Sequence, residues 1–189
     1  MKNTFRSIIE SSVAVKQQAL EKNIDAMEKI AQACIRCLNN GGTLFFFGNG
    51  GSAADSQHVA AEFIGRFQKE RQALAAMALT TDTSILTSLA NDYSYDVVFS
   101  RQLEALGKKG DMAFGITTSG RSPNVLKAFA VAKAKGMITV AFTGGDGGPA
   151  AAAADLSVIV PSKVTARIQE SHSTFFHAMC EVVENAFVK

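Results

Sequence analysis

The chain has 189 residues, 47% of them hydrophobic and 19% charged, which suits one folded domain and excludes intrinsic disorder. Its formal charge of +2, with no Lys/Arg cluster longer than Gly107-Lys-Lys-Gly110, argues against a nucleic-acid partner. No apolar run approaches the length of a membrane span, so no membrane partner is expected either.

The first ten residues lack the apolar core and cleavage site of a secretion signal, and a cytoplasmic location is expected. Residues 5 to 38 carry helical periodicity without a Gly or Pro, and Asn23-Ile-Asp25 offers a break that would divide them into two helices. Their apolar faces (Ile8, Ile9, Val13, Val15, Leu20, Ile24, Met27, Ile30) precede the first strand and need a cover. Residues 1–38 are therefore expected to be a helical assembly element for self-association. Cys34 and Cys37 form a C-x-x-C, but both fall inside this helical pattern with no second ligand pair at zinc-finger spacing. With Cys180 in another apolar helix, all three read as buried structural thiols. Asn39-Asn-Gly-Gly42 then ends the helix.

Short apolar runs now alternate with helical stretches. The runs are 44–47, 73–79, 112–116, 138–142 and 156–160, with helices predicted near 52–65, 83–90, 96–106, 123–135 and 149–153. A last helix is predicted over about 164–188. Runs this continuous are buried on both faces, so the fold class is α/β: a doubly wound, mostly parallel five-stranded sheet flanked by helices. Ligands in such sheets bind beyond the carboxyl ends of the strands. That selects the loops 48–52, 80–92, 117–122 and 143–148.

Between the first strand and helix lies Gly48-Asn-Gly-Gly-Ser52, a turn on which a phosphate can settle. Glycines let the backbone approach, and the helix N-terminus offers free N–H groups. The loop Thr117-Thr-Ser-Gly-Arg-Ser122 leads into Pro123 with Ser122 as N-cap, and its hydroxyls suit a phosphate monoester. An ordinary capped turn would look similar, but the pairing with residues 48–52 favours the phosphate. Neither loop matches a nucleoside-triphosphate or dinucleotide motif.

His58 and Glu62, four apart, share one face of the second helix. Gln169 and His177, eight apart, lie only about 80° from each other around the last helix. Two imidazoles, a carboxylate and an amide oxygen suit a divalent metal such as zinc, provided the two helices converge. His172 reads as a satisfied structural residue.

These residues carry a resemblance. Gly48-Asn-Gly-Gly-Ser-Ala-Ala-Asp-Ser-Gln-His58, Leu79-Thr-Thr-Asp-Thr-Ser-Ile85, Ala90-Asn-Asp-Tyr93, Thr118-Ser-Gly120 and Ala166-Arg-Ile-Gln-Glu170 resemble the phosphoheptose isomerase family of sugar isomerase (SIS) domain enzymes, across nearly the whole chain. The resemblance implies one SIS domain over residues 1–189. It also implies interconversion of D-sedoheptulose 7-phosphate and D-glycero-D-manno-heptose 7-phosphate, the opening step of activated heptose synthesis for bacterial surface polysaccharide. A homotetramer with active sites between subunits, and one zinc ion per subunit, are implied too. Carried over by motif, Asn49, Gly50, Gly51, Ser52, Asn91 and Asp92 contact substrate, and Thr117, Thr118, Ser119 and Ser122 hold the phosphate. His58, Glu62, Gln169 and His177 match the metal ligands, Glu62 and Gln169 also meeting substrate. The third loop departs from the family's commoner Ser-Thr-Ser-Gly-Asn; Thr117 keeps the hydroxyl, and Arg121 adds a cation.

The chemistry fits the residues independently of the family. An aldose–ketose isomerase moves a proton between adjacent carbons through an enediolate, and needs a base there and an acid at the oxygens. Glu62 is the expected base and His177 the expected acid. The rival reading is an SIS-domain regulator that binds a bacterial replication initiator and has no isomerase activity. Such a protein has no chemical reason to keep Glu62 and His177 together.

Overall fold

A single helix, α1 (Lys2–Asn39), opens the computed structural model, which describes residues 1–188. The break expected at Asn23-Ile-Asp25 does not occur. An asparagine disfavours a helix interior because its amide competes for nearby backbone groups. Here that amide is occupied elsewhere: buried Asn23 donates to the carbonyls of Ala19 (2.7 Å) and Ile159 (3.1 Å) and accepts from the Ile159 N–H (2.9 Å). Ile159 belongs to an edge strand, β5 (Leu156–Val160), so Asn23 supplies the bonds that a further strand would have made.

After α1 the chain alternates through β1 (Leu44–Gly48), α2 (Gly51–Ile64), β2 (Ala76–Ala78), α3 (Thr83–Asp92), α4 (Ser100–Leu106), β3 (Met112–Thr117), α5 (Pro123–Ala134), β4 (Ile138–Gly144), α6 (Gly148–Ala153), β5 and α7 (Thr165–Asn185). The strands form one sheet in the order β2-β1-β3-β4-β5, and every neighbouring pair is parallel. Two predicted elements are shorter than expected. Of residues 73–79 only Ala76–Ala78 join the sheet, and the Leu74 N–H before them is given to the Phe63 carbonyl at the end of α2 (3.1 Å). The helix over 96–106 is interrupted by a 3₁₀ turn at Tyr95–Val97, after which Val98 and Phe99 turn into the core.

Side chains on each strand alternate between two cores. Leu44, Phe46, Phe114, Ile116, Val140 and Phe142 face α1, α2 and α7. Phe45, Phe47, Ala113 and Ala141 face α4, α5 and α6. Phe46 stacks on Phe114 (4.6 Å between centroids) and Phe142 on Phe176 of α7 (4.3 Å). Each fully buried Phe of this kind contributes about 1.5–3 kcal/mol.

From Ala19 onward α1 belongs to the first core, with Ile30, Cys34 and Cys37 buried. The apolar surface of residues 1–38 left for the expected self-association is therefore mainly that of the first half of α1. That half leaves Phe5, Ile8, Ile9 and Val13 exposed, and Leu20 and Ile24 extend the stripe. No helix of the described residues is long and apolar enough to cross a membrane.

Candidate active site

β1 and β3 are neighbours, but β1 feeds α2 on one face of the sheet and β3 feeds α5 on the other. Their loops part at the switch point of the sheet, the usual crevice for a ligand. Asn49, after β1, exchanges two amide hydrogen bonds with Asn124 in the first turn of α5 (3.1 and 2.8 Å), which clips the two loops together. Gly50 and Gly51 open α2, followed by buried Ser52. Across the crevice the Thr117 hydroxyl meets those of Ser122 (2.9 Å) and Ser119 (3.5 Å), and Ser119 accepts from the Arg121 N–H. Gly120, at φ +67°, lets this loop lie against the backbone of Gly147 and Gly148, where any Cβ would collide. Thr118 and Ser119 line a cleft of about 470 Å³ with Gly144, Gly145, Ser162, Lys163 and Thr165. Arg121 pairs with Asp146 at its rim (3.0 Å).

α2 and α7 then run side by side in the same direction. The Gln169 amide lies against Gly51, so closely that a Cβ there would overlap it. One turn on, the Ser173 hydroxyl donates to Asp55 (3.1 Å). Two turns on, His58 Nε2 lies 3.1 Å from Glu62 Oε1 and 3.4 Å from His177 Nε2. The convergence that sequence left open is present for these three, whose donor atoms all lie within 4.8 Å of one another. Ligands of a tetrahedral zinc at ~2.05 Å stand about 3.3 Å apart, so both measured separations fit two edges of such a site.

A family model described as SIS domain matches residues 9–144. A phosphoheptose isomerase of Paramagnetospirillum magneticum is 58% identical over 160 residues, covering 85% of this chain and 83% of the relative. The chain belongs to the phosphoheptose isomerase family of SIS-domain proteins. Two solved structures of family members superpose closely. That from Neisseria gonorrhoeae is 43% identical with a TM-score of 0.92, covering 97% of this chain and 98% of the other. That from Francisella tularensis is 35% identical with a TM-score of 0.93, covering 97% of each.

Within this phosphoheptose isomerase family member, one subunit keeps the two halves of the predicted site apart. From Gly51 to Glu62 is eleven residues of α2, about 16 Å of rise, and Gln169 precedes His177 by about 12 Å. Gln169 therefore sits at the loop end of the α2–α7 groove, and the His58–Glu62–His177 cluster at the other. Asn91 and Asp92 end α3, exposed and bonded to each other (2.9 Å). The structure brings neither to the cluster.

Two residues of the site escaped the sequence reading. Asn124 follows the Ser122-Pro123 cap and is the partner of Asn49. Asp55 lies between α2 and α7, lining a small cavity with His58, Ser173 and His177. Burial pushes its carboxyl up, against the Ser173 hydrogen bond and the two histidines, which lower it. A signal for Asp55 existed: its spacings of three to His58 and seven to Glu62 put it on their helix face. His172 is structural, as expected. It is fully buried, and its Nε2 donates to the Thr143 carbonyl (3.0 Å).

Proposed function

We propose that this chain interconverts D-sedoheptulose 7-phosphate and D-glycero-D-manno-heptose 7-phosphate, opening activated heptose synthesis for bacterial surface polysaccharide. It is a sugar-phosphate isomerase by family. The observation that carries the mechanism is the meeting of a carboxylate and two imidazoles, Glu62 with His58 and His177, at the end of a groove that starts at a phosphate-binding turn. An initiator-binding regulator would not need these groups to converge.

In this reading the hydroxyls of Thr117, Thr118, Ser119 and Ser122 hold the phosphate. Asn49, Gly50, Gly51 and Ser52 shape the opposite wall, and Gln169 contacts substrate beside Gly51. Asn91 and Asp92 meet the sugar from the α3 end. Glu62 takes the proton from one carbon of the enediolate pair and returns it to the other, while His177 moves a proton at the adjoining oxygens. Phosphate binding far from the reacting carbons positions them and lowers the barrier of the transfer.

His58, Glu62 and His177 would hold one zinc ion per subunit, while Gln169, about 12 Å back along α7, lies against Gly51 at the substrate end rather than beside them. When bound, the ion supplies Lewis-acid polarisation of the substrate oxygens. Separation of the two half-sites by about 10–16 Å of helix supports completion of each site by a second subunit. The exposed stripe of α1 supports a homotetramer. Three free, buried cysteines are in keeping with a reducing cytoplasm.

The test is a coupled assay of sedoheptulose 7-phosphate conversion by protein purified without a metal-affinity tag, before and after chelation, with metal analysis of the same sample. Conversion, with about one zinc per chain and loss of turnover on chelation, is expected. No conversion at all would overturn the assignment, and undiminished turnover after complete metal removal would overturn the role of the ion.

A further inference from the structure

Residues 65–75, between α2 and β2, have no regular secondary structure, yet they are fastened along their length. Glu184 on α7 is buried and accepts three successive backbone N–H groups, from Phe67 (2.8 Å), Gln68 (2.8 Å) and Lys69 (2.9 Å). Arg71 pairs with the same carboxylate (3.4 Å), and both side chains are at most 2% exposed. The Arg71 guanidinium also donates to the carbonyls of Glu62 (2.7 Å), Phe63 (2.8 Å) and Gly65 (2.9 Å), acceptors left open at the end of α2, and to that of Gln72 within the strap (2.9 Å).

A buried ion pair is weak evidence of stabilisation, because desolvation offsets much of its attraction. What this pair does secure is geometry. The strap it holds sets the Phe67 ring 5.5 Å from the His177 imidazole at an interplanar angle of 26°, a stacked contact. His58 meets the same imidazole edge-on at 5.0 Å and 74°. His177 is thus fixed on two sides, and the same strap grips the backbone of Glu62.

We infer that Phe67 is a positioning residue for His177, presented by the Glu184–Arg71 strap so that the imidazole keeps one orientation toward Glu62. Its effect on turnover rests on the isomerase reading; its effect on the imidazole does not. A flexible side chain in its place leaves His177 to turn about its own bonds, which lowers the fraction of molecules ready to transfer a proton without weakening the grip on the phosphate. Aromatic pairs of this kind carry enough energy for a change of about threefold to tenfold.

The experiment compares the full chain with Phe67→Leu and Phe67→Tyr, using histidine-selective 13C labelling on metal-free protein and steady-state kinetics on the metal-loaded forms. In the wild type, ring protons of Phe67 and His177 should show a nuclear Overhauser contact, and the His177 signals should sit upfield under the phenyl face. Phe67→Leu should move those signals downfield and lower kcat about threefold to tenfold with KM within about twofold; Phe67→Tyr, which keeps the ring, should leave both near wild type. Absence of the wild-type contact overturns the inference even if neither variant folds. Equal loss of kcat in Phe67→Tyr and Phe67→Leu, or unmoved His177 signals in Phe67→Leu, overturns it as well. A wild-type chain inactive on sedoheptulose 7-phosphate would count against the isomerase reading, and the His177 signals would then decide the positioning role by themselves.

Discussion

Mild acid should loosen α7, the helix that carries Gln169 and His177, through His172. That imidazole is fully buried, edge-on to Phe142 (5.7 Å, 86°), and its Nε2 proton is given to the Thr143 carbonyl of β4. Its Nδ1 has no partner, so a second proton there would be placed in an apolar wall. Burial lowers its pKa to about 4, with the Thr143 hydrogen bond acting the other way. An unfolded chain takes up the proton near pH 6.5, whereas the folded chain resists it. The stabilisation is therefore complete above pH 6.5 and is lost as the pH falls toward 4. The gap amounts to about 3 kcal/mol in all, of which about 2.5 kcal/mol is gone by pH 4.5. Urea unfolding of the wild type and His172→Gln at one protein concentration, from pH 7.5 to 4.5, measures it. The glutamine keeps a donor for Thr143 but does not titrate, and carboxylates common to both chains cancel in the difference. The wild type should lose about 2–3 kcal/mol more than the variant over that range. Parallel losses would refute the reasoning and show that His172 protonates in the fold without penalty.

Glu62→Gln should lower turnover by about 10²–10⁴ while the fold and phosphate binding survive, because the amide keeps the size of the base without its proton affinity. Near-normal turnover would remove Glu62 from the mechanism. Ile9→Glu with Ile24→Glu changes two side chains that are 61% and 54% exposed, so within one subunit it should alter stability by no more than about 0.5 kcal/mol each. Light scattering should nevertheless show a smaller assembly, with activity falling alongside it. An unchanged assembly would refute the role given to this stripe. Deleting all of residues 1–38 would not be a clean version of this test, since it removes Ile30, Cys34 and Cys37 from the core.

The sequence determined by itself whatever rests on local pattern. Phe45, Phe46 and Phe47 in one short run can only be a strand buried on both faces, and the alternation of such runs with helices leaves a parallel sheet as the economical solution. The glycines after β1 and the Ser-Pro step after β3 announce their loops because turn geometry and the fixed φ of a first-turn proline are set within a few residues, although the Ser122 hydroxyl meets Thr117 and makes no capping bond. His58 and Glu62 fall on one face by helical period alone. Long-range contact decided the rest. Asn23 reads as a helix break until Ile159, 136 positions away, is found to take both ends of its amide. Residues 73–75 look like strand, and their neighbours leave the sheet because Glu184 binds the backbone more than a hundred residues before it. Phe67 carries no sign in the sequence of the histidine it stacks on, and Asp55 shows only the helix face it shares with His58, not its approach to His177. Which side chains share a site depends on how α2 and α7 lie against one another on the sheet. That alignment comes from packing the whole first core, a sum of many weak contacts that no short segment contains.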